Sequence, residues 1–160
     1  MAGQITIENA RIIFRNFSGR EGQYNREGDR NFGVIIEDPE IERQLKLDGW
    51  NVKYLKPRDE DDTDTPWVPV TVSYKGRPSR VVMINSRGRT DLGEDEVEVL
   101  DWMEIANVDL ILNPYEWNVN GKSGIKAYLK TMFVTILEDD LELKYADIEE
   151  ADDIVPEEPF

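Results

Sequence analysis

The apolar positions of this chain fall mostly into alternating runs, the period-2 pattern of half-buried strands. Gln4 to Phe17 reads as a long strand with Ile5 and Ile7 on one face. Near Asn9-Ala10 the parity changes to Ile12 and Phe14, which predicts a bulge or bend. Ser18 to Asp29, rich in Gly, Arg and Asn, reads as a loop. Arg30 to Glu37 alternates through Phe32, Val34 and Ile36. A short helix follows, with Asp38 as N-cap, Pro39 at its first position, Ile41 and Leu45 on one face and Gly49 as its stop. Trp50 to Lys56 alternates again, and Arg58 to Pro66 is an acidic loop. Trp67 to Lys75 and Arg80 to Asn85 read as two strands joined by a turn at Gly76-Arg77-Pro78. Asp91, Glu94, Asp95 and Glu96 lead into a second short helix with Val97, Leu100 and Met103 inward. Val108 to Val119 and Ile125 to Leu137 form the closing hairpin, with Asn120-Gly121 as its turn.

Five strand regions with a helix before the last two predict a mainly β chain, an OB-fold-like five-stranded barrel with two short helices and a disordered acidic C-terminal tail. The helix at Pro39 to Asp48 is extra to that plan, and a β-sandwich of the same strands is the alternative. The 160 residues suit one barrel domain, residues 1–137, and an acidic tail, residues 138–160.

The sequence holds no Cys and no His. That removes disulfides, zinc thiolates and the commonest general base, which weighs against an enzyme and fits a reducing cytosol. No run of about 18 apolar residues predicts a membrane span. A net charge of −15 looks wrong for a nucleic-acid binder, but it is unevenly distributed. Residues 138–160 carry 11 acids and one base, and five more acids lie between Arg58 and Asp64. The remaining body has 18 acids and 18 bases, and a neutral body with clustered bases still presents a positive groove.

The closing hairpin concentrates the chemistry. Alternation puts Lys126, Tyr128 and Lys130 on one face, and Ile125, Ala127, Leu129 and Phe133 on the other. Tyr115 and Trp117 share a face of the partner strand, and Lys122 sits beside the turn. Cations that track phosphates, interleaved with rings that stack on bases, are the requirements of single-strand binding. The first loop is a second candidate, with Arg15, Arg20, Arg26 and Arg30 around Tyr24 and glycines for mobility; Glu21, Glu27 and Asp29 make a solvated charged loop the competing reading. Lys53, Tyr54 and Lys56 form a third group, and Arg87 with Arg89 a fourth. Two motifs fail. Gly121-Lys122-Ser123 lacks the earlier P-loop glycine, since position 116 is Glu116. Asp59 to Asp64 lacks the glycine and glutamate of a calcium loop.

The chain finishes in Asp152-Asp153-Ile154, then Val155-Pro156-Glu157-Glu158, then Pro159-Phe160. Ring, terminal carboxylate and acidic flank suit an apolar pocket rimmed with Lys or Arg. This tip resembles the C-terminus of single-stranded DNA-binding proteins, and body and tip together resemble the phage type. The resemblance implies coating of single strands without marked sequence specificity during phage replication or recombination, in the host cytoplasm, with no catalysis, no metal and no other cofactor. It implies partner recruitment through Asp152, Asp153, Ile154, Pro159 and Phe160, by replication or recombination proteins, and leaves a homodimer open. The rival readings are a DNA-mimic inhibitor, an Mg²⁺-dependent nuclease using Asp59, Asp61 and Asp62, and a virion structural protein.

Overall fold

The first apolar run bends where its parity changes. The computed structural model describes residues 3–23, 25–56 and 63–138. Within them the run divides into β1 (Ile5–Ile7) and β2 (Arg11–Asn16). Asn9 between them takes a left-handed φ of 53°, and its N–H donates to Asp109 Oδ1 at 2.9 Å. Asn is among the few residues that visit this conformation at modest cost.

The remaining elements are β3 (Arg30–Ile35), α1 (Pro39–Asp48), β4 (Lys53–Leu55), β5 (Thr65–Val72), β6 (Arg80–Asn85), β7 (Gly88–Leu92), a 3-10 turn at Val97–Asp101, β8 (Ile105–Val119) and β9 (Lys122–Ile136). The ladder runs β1-β8-β9-β5-β3-β2, antiparallel except where β5 meets β9. Both ends of that path belong to the one bent stretch Ile5–Asn16, so the sheet curls back on itself through the chain. A first strand shared by two sides, with third and last strands parallel, is OB-fold topology. The five strands of that plan are β1 with β2, β3, β5, β8 and β9; β4, β6 and β7 are additions.

The inner face of the curl is the core. Val68, Val70 and Val72 alternate inward on β5, as do Val108, Leu110 and Leu112 on β8. Leu45 of α1 and Leu100 of the 3-10 turn are fully buried against them, and Phe17 stacks on Phe32 at 5.4 Å. The helix α1 has the predicted limits. Asp38 accepts from the Glu40 N–H, and Gly49 closes the helix at φ 95°. The Gly49 carbonyl then accepts from the Ile125 N–H at 3.0 Å, docking the extra helix on β9.

Several elements differ from expectation. The strand foreseen over Trp50 to Lys56 is only Lys53–Leu55, because Trp50 bridges to Ile125 instead. The strands β5 and β6 do not form a hairpin together. Both run parallel to β9, at Ala127–Tyr128 and then at Thr131–Thr135. The buried Ser79 hydroxyl holds the step between them, donating to the Leu129 carbonyl at 2.7 Å and accepting from the Ser73 N–H. The strand β7 has no apolar alternation to announce it. The second helix is a 3-10 turn, burying Val97 and Leu100 while Met103 is half-buried.

Two rings change face at bulges. Register slips between Ile13 and Asn16, where Phe14 takes φ 53° and stands 60% exposed. On β9 the slip at Lys130 turns the parity from Leu129 to Met132, so Phe133 faces outward rather than with Ile125, Ala127 and Leu129.

Candidate nucleic-acid interface

The β8–β9 hairpin sets the geometry of the outer surface. Asn120 and Gly121 both take left-handed φ, 52° and 81°, the requirement of a tight two-residue hairpin turn. That turn registers Trp117 with Gly124, Tyr115 with Lys126 and Asn113 with Tyr128. These residues share the outer face, while Ile125, Ala127 and Leu129 fill the core. The Tyr115 ring meets Tyr128 edge-on at 5.7 Å, and Lys126 Nζ lies 5.2 Å from the Tyr128 centroid. The Trp117 indole lies across Gly124 so closely that a Cβ there would come within 2.9 Å of it. Tyr115 remains 56% exposed and Trp117 38%. Both are open to a planar ligand.

Beside Tyr115 and Tyr128 runs a groove of about 960 Å³. The β5–β6 connection contributes Lys75 and Arg77 to its lining, the start of β6 contributes Arg80, and β9 contributes Lys130. Two guanidinium groups approach the Phe133 ring, Arg80 at 5.9 Å and Arg89 at 5.7 Å from its centroid. Arg80 also pairs with Asp91 at 3.6 Å. Arg89 is legible from the sequence, whereas Lys75, Arg77, Arg80 and the outward Phe133 join the group only in the fold. Two bases flanking Gly76 in the turn, Lys75 and Arg77, are the sequence signal for them. On the other side of Lys126 a second cavity, about 460 Å³, opens between Trp117 and the outer face of β5 at Pro69 and Thr71.

The first-loop group does not join this face as a set. Arg15 donates to the carbonyls of Leu100 and Met103 at 2.8 and 2.7 Å, tying β2 to the 3-10 turn. Arg20 lies 3.8 Å from Asp101, whose carboxylate is 1% exposed and accepts from the N–H groups of Phe17 and Ser18. Arg30 faces Glu94 at 3.4 Å and the Tyr74 ring at 5.9 Å. The Tyr74 hydroxyl donates to the Leu92 carbonyl, and burial pushes its phenol up to about 12 against the pull of the Arg30 cation. Arg26 is exposed, and Tyr24 lies outside the described residues. Within the loop Gly19 and Gly28 take left-handed φ, and the Gly28 N–H donates to the Gly19 carbonyl at 2.7 Å.

The third group splits. Lys53 lies over the Trp67 ring at 5.7 Å on the outer face. Tyr54 points to the opposite side, where its hydroxyl donates to Glu42 of α1 at 2.7 Å. Lys56 and Lys122 are exposed. Arg87 occupies the β6–β7 turn, its backbone N–H donating to Asn85 Oδ1. Asp59 to Asp62 and the whole tip from Asp152 to Phe160 lie outside the described residues. Among the described residues no cluster of three or more acidic side chains is placed to hold a metal ion, and no helix is long and apolar enough to cross a membrane.

A curled OB ladder with rings and cations on the outer face of its closing hairpin is the build of a single-stranded nucleic-acid-binding domain. Comparison with known proteins narrows the class. The family model described as "Putative phage ssDNA-binding domain" matches residues 2–158, and the chain belongs to that family. Two solved structures share its fold at 14% identity. One is the single-stranded DNA-binding protein from bacteriophage Enc34 in complex with ssDNA, with TM-score 0.56 over 86% of this chain and 88% of that chain. The other is the single-stranded DNA-binding protein from the same phage, with TM-score 0.54 over 92% of this chain and 90% of that chain. No curated protein sequence matches the chain.

Proposed function

We propose that this protein coats single-stranded DNA without marked sequence preference, laying the strand along the outer face of β9. Tyr128, Tyr115 and Trp117 stack on bases, and Lys126, Lys130, Lys75, Arg77 and Arg80 neutralise phosphates. The observation that carries this reading is the hairpin register, which gathers three rings and Lys126 on one wet face beside a basic groove. Stacking is sequence-tolerant because every base has a π-face. The protein acts by binding, without catalysis, in phage replication or recombination. Family membership favours this over a DNA mimic, a nuclease or a virion component.

The acidic tail recruits replication or recombination proteins. That part of the reading rests on the sequence Asp152-Asp153-Ile154 and Pro159-Phe160, where an aromatic ring beside a carboxylate is an anchor for a basic-rimmed apolar pocket. The test is a titration with labelled oligonucleotides, single and double stranded, at several salt concentrations, with light scattering to separate monomer from homodimer. Tighter binding to single strands and a falling log K with log salt are expected, with a slope near −0.7 per phosphate contact. Equal or tighter binding to duplex overturns the reading.

A further inference from the structure

The outer surface holds another aromatic pair, away from the hairpin groove. Phe14 stands in the β2 bulge at a left-handed φ of 53°, a conformation that a bulky side chain rarely takes, and its ring is 60% exposed. It meets the Trp67 ring edge-on at 5.1 Å. Trp67 is fixed in turn. Its indole lies on Gly33 so tightly that a Cβ at that position would come within 2.6 Å. Lys53 Nζ lies 5.7 Å from the same ring. A strained, largely exposed ring, a clamped indole and a cation repeat the chemistry of Tyr115, Tyr128 and Lys126.

The two groups share one face. Val68, Val70 and Val72 of β5 point inward, so Trp67, Pro69 and Thr71 point outward. Thr71 registers with Tyr128, and Trp67 is four residues away, about 13 Å along the strand. The 460 Å³ cavity at Pro69, Thr71, Trp117 and Lys126 occupies the interval between them.

We infer that Phe14, Trp67 and Lys53 form a second base-stacking station, which a single strand reaches after filling the hairpin groove. The inference rests on the proposed hairpin interface and extends its footprint across β5 to the β2 bulge.

The test compares oligo(dT) of about 5 and about 15 nucleotides, spanning the site sizes of OB domains. Phe14→Ala is expected to weaken the longer oligomer between about 5- and 150-fold and to leave the shorter one unchanged. Phe14→Trp should restore the loss. Tyr128→Ala separates the two readings: if it weakens both lengths while Phe14→Ala weakens neither, the second station fails and the hairpin interface stands. If neither variant changes either length, both fail. Ultraviolet crosslinking of the unmodified protein to the longer oligomer needs no substitution. Adducts at Phe14 or Trp67 support the station, and adducts confined to Tyr115, Trp117 and Tyr128 overturn it.

Discussion

Replacing Tyr128 by Ala separates stacking from charge on the hairpin face. The ring lies outward, while its neighbours Ala127 and Leu129 stay in the core. The lost edge-on contact with Tyr115 at 5.7 Å costs about 0.5–1.5 kcal/mol of stability. The lost Lys126 contact at 5.2 Å costs about 0.5–1 kcal/mol more at an exposed site. Against a domain stability of about 5–15 kcal/mol, the variant still folds. Its loss in DNA affinity is the stacking energy of one base, about 1–3 kcal/mol or roughly 5- to 150-fold. That loss is not ionic, so it should persist from about 50 to about 200 mM salt with the slope of log K against log salt unchanged. Lys126→Ala should instead flatten that slope by about 0.7. Fluorescence anisotropy of a labelled oligo(dT), with urea denaturation in parallel, reads all four quantities. A loss confined to low salt would show that Tyr128 acts only by positioning Lys126. A collapse of the urea transition would show that the ring belongs to the core, inverting the face assignment.

Arg15→Ala should lower stability by about 1.5–3 kcal/mol in urea, since its guanidinium bonds two carbonyls, while the salt slope of DNA binding stays constant. Tyr74 gives a pH signature. Its folded pKa of about 12 exceeds the ordinary 10, so the stability it contributes is full below pH 10 and declines as pH rises from about 10 to about 12. Melting curves of Tyr74→Phe should therefore fall less steeply than those of the unmodified protein across that window, and parallel curves would refute the assignment. Truncation after Glu138, which keeps the Glu138 carboxylate on the Ser86 N–H and hydroxyl, removes ten acids and one base, a charge of −9. Single strands should then bind more tightly at low salt, where charges are least screened, and unchanged affinity would show that the tail does not compete with DNA.

Local chemistry made part of this protein legible from its sequence. The limits of α1 follow from Asp38, Pro39 and Gly49, all within one turn of the ends they set. Asn120-Gly121 placed the hairpin turn because two consecutive left-handed residues suit that pair best. From the turn, alternation carried the face assignment correctly through Lys126 and Tyr128. The bend at Asn9 was legible for the same reason, as a break in a two-residue period.

Tertiary structure decided what depends on partners distant in the chain. Alternation carried past Lys130 put Phe133 inside, but the bulge there answers to β8 across the ladder and turns that ring toward Arg80 and Arg89. Parallel pairing of β5 and β6 with β9 is held by contacts such as Ser79 to Leu129, fifty positions apart, and it alone brings Lys75 and Arg77 beside Tyr128. The bonds of Arg15 to two carbonyls and of Tyr54 to the Glu42 carboxylate were not legible, because a list of residues does not show which acceptor is near. Caps, turns and alternation act over a few residues, and sequence records them directly. The choice between a free cation and a bonded one depends on neighbours that only the curled sheet brings together.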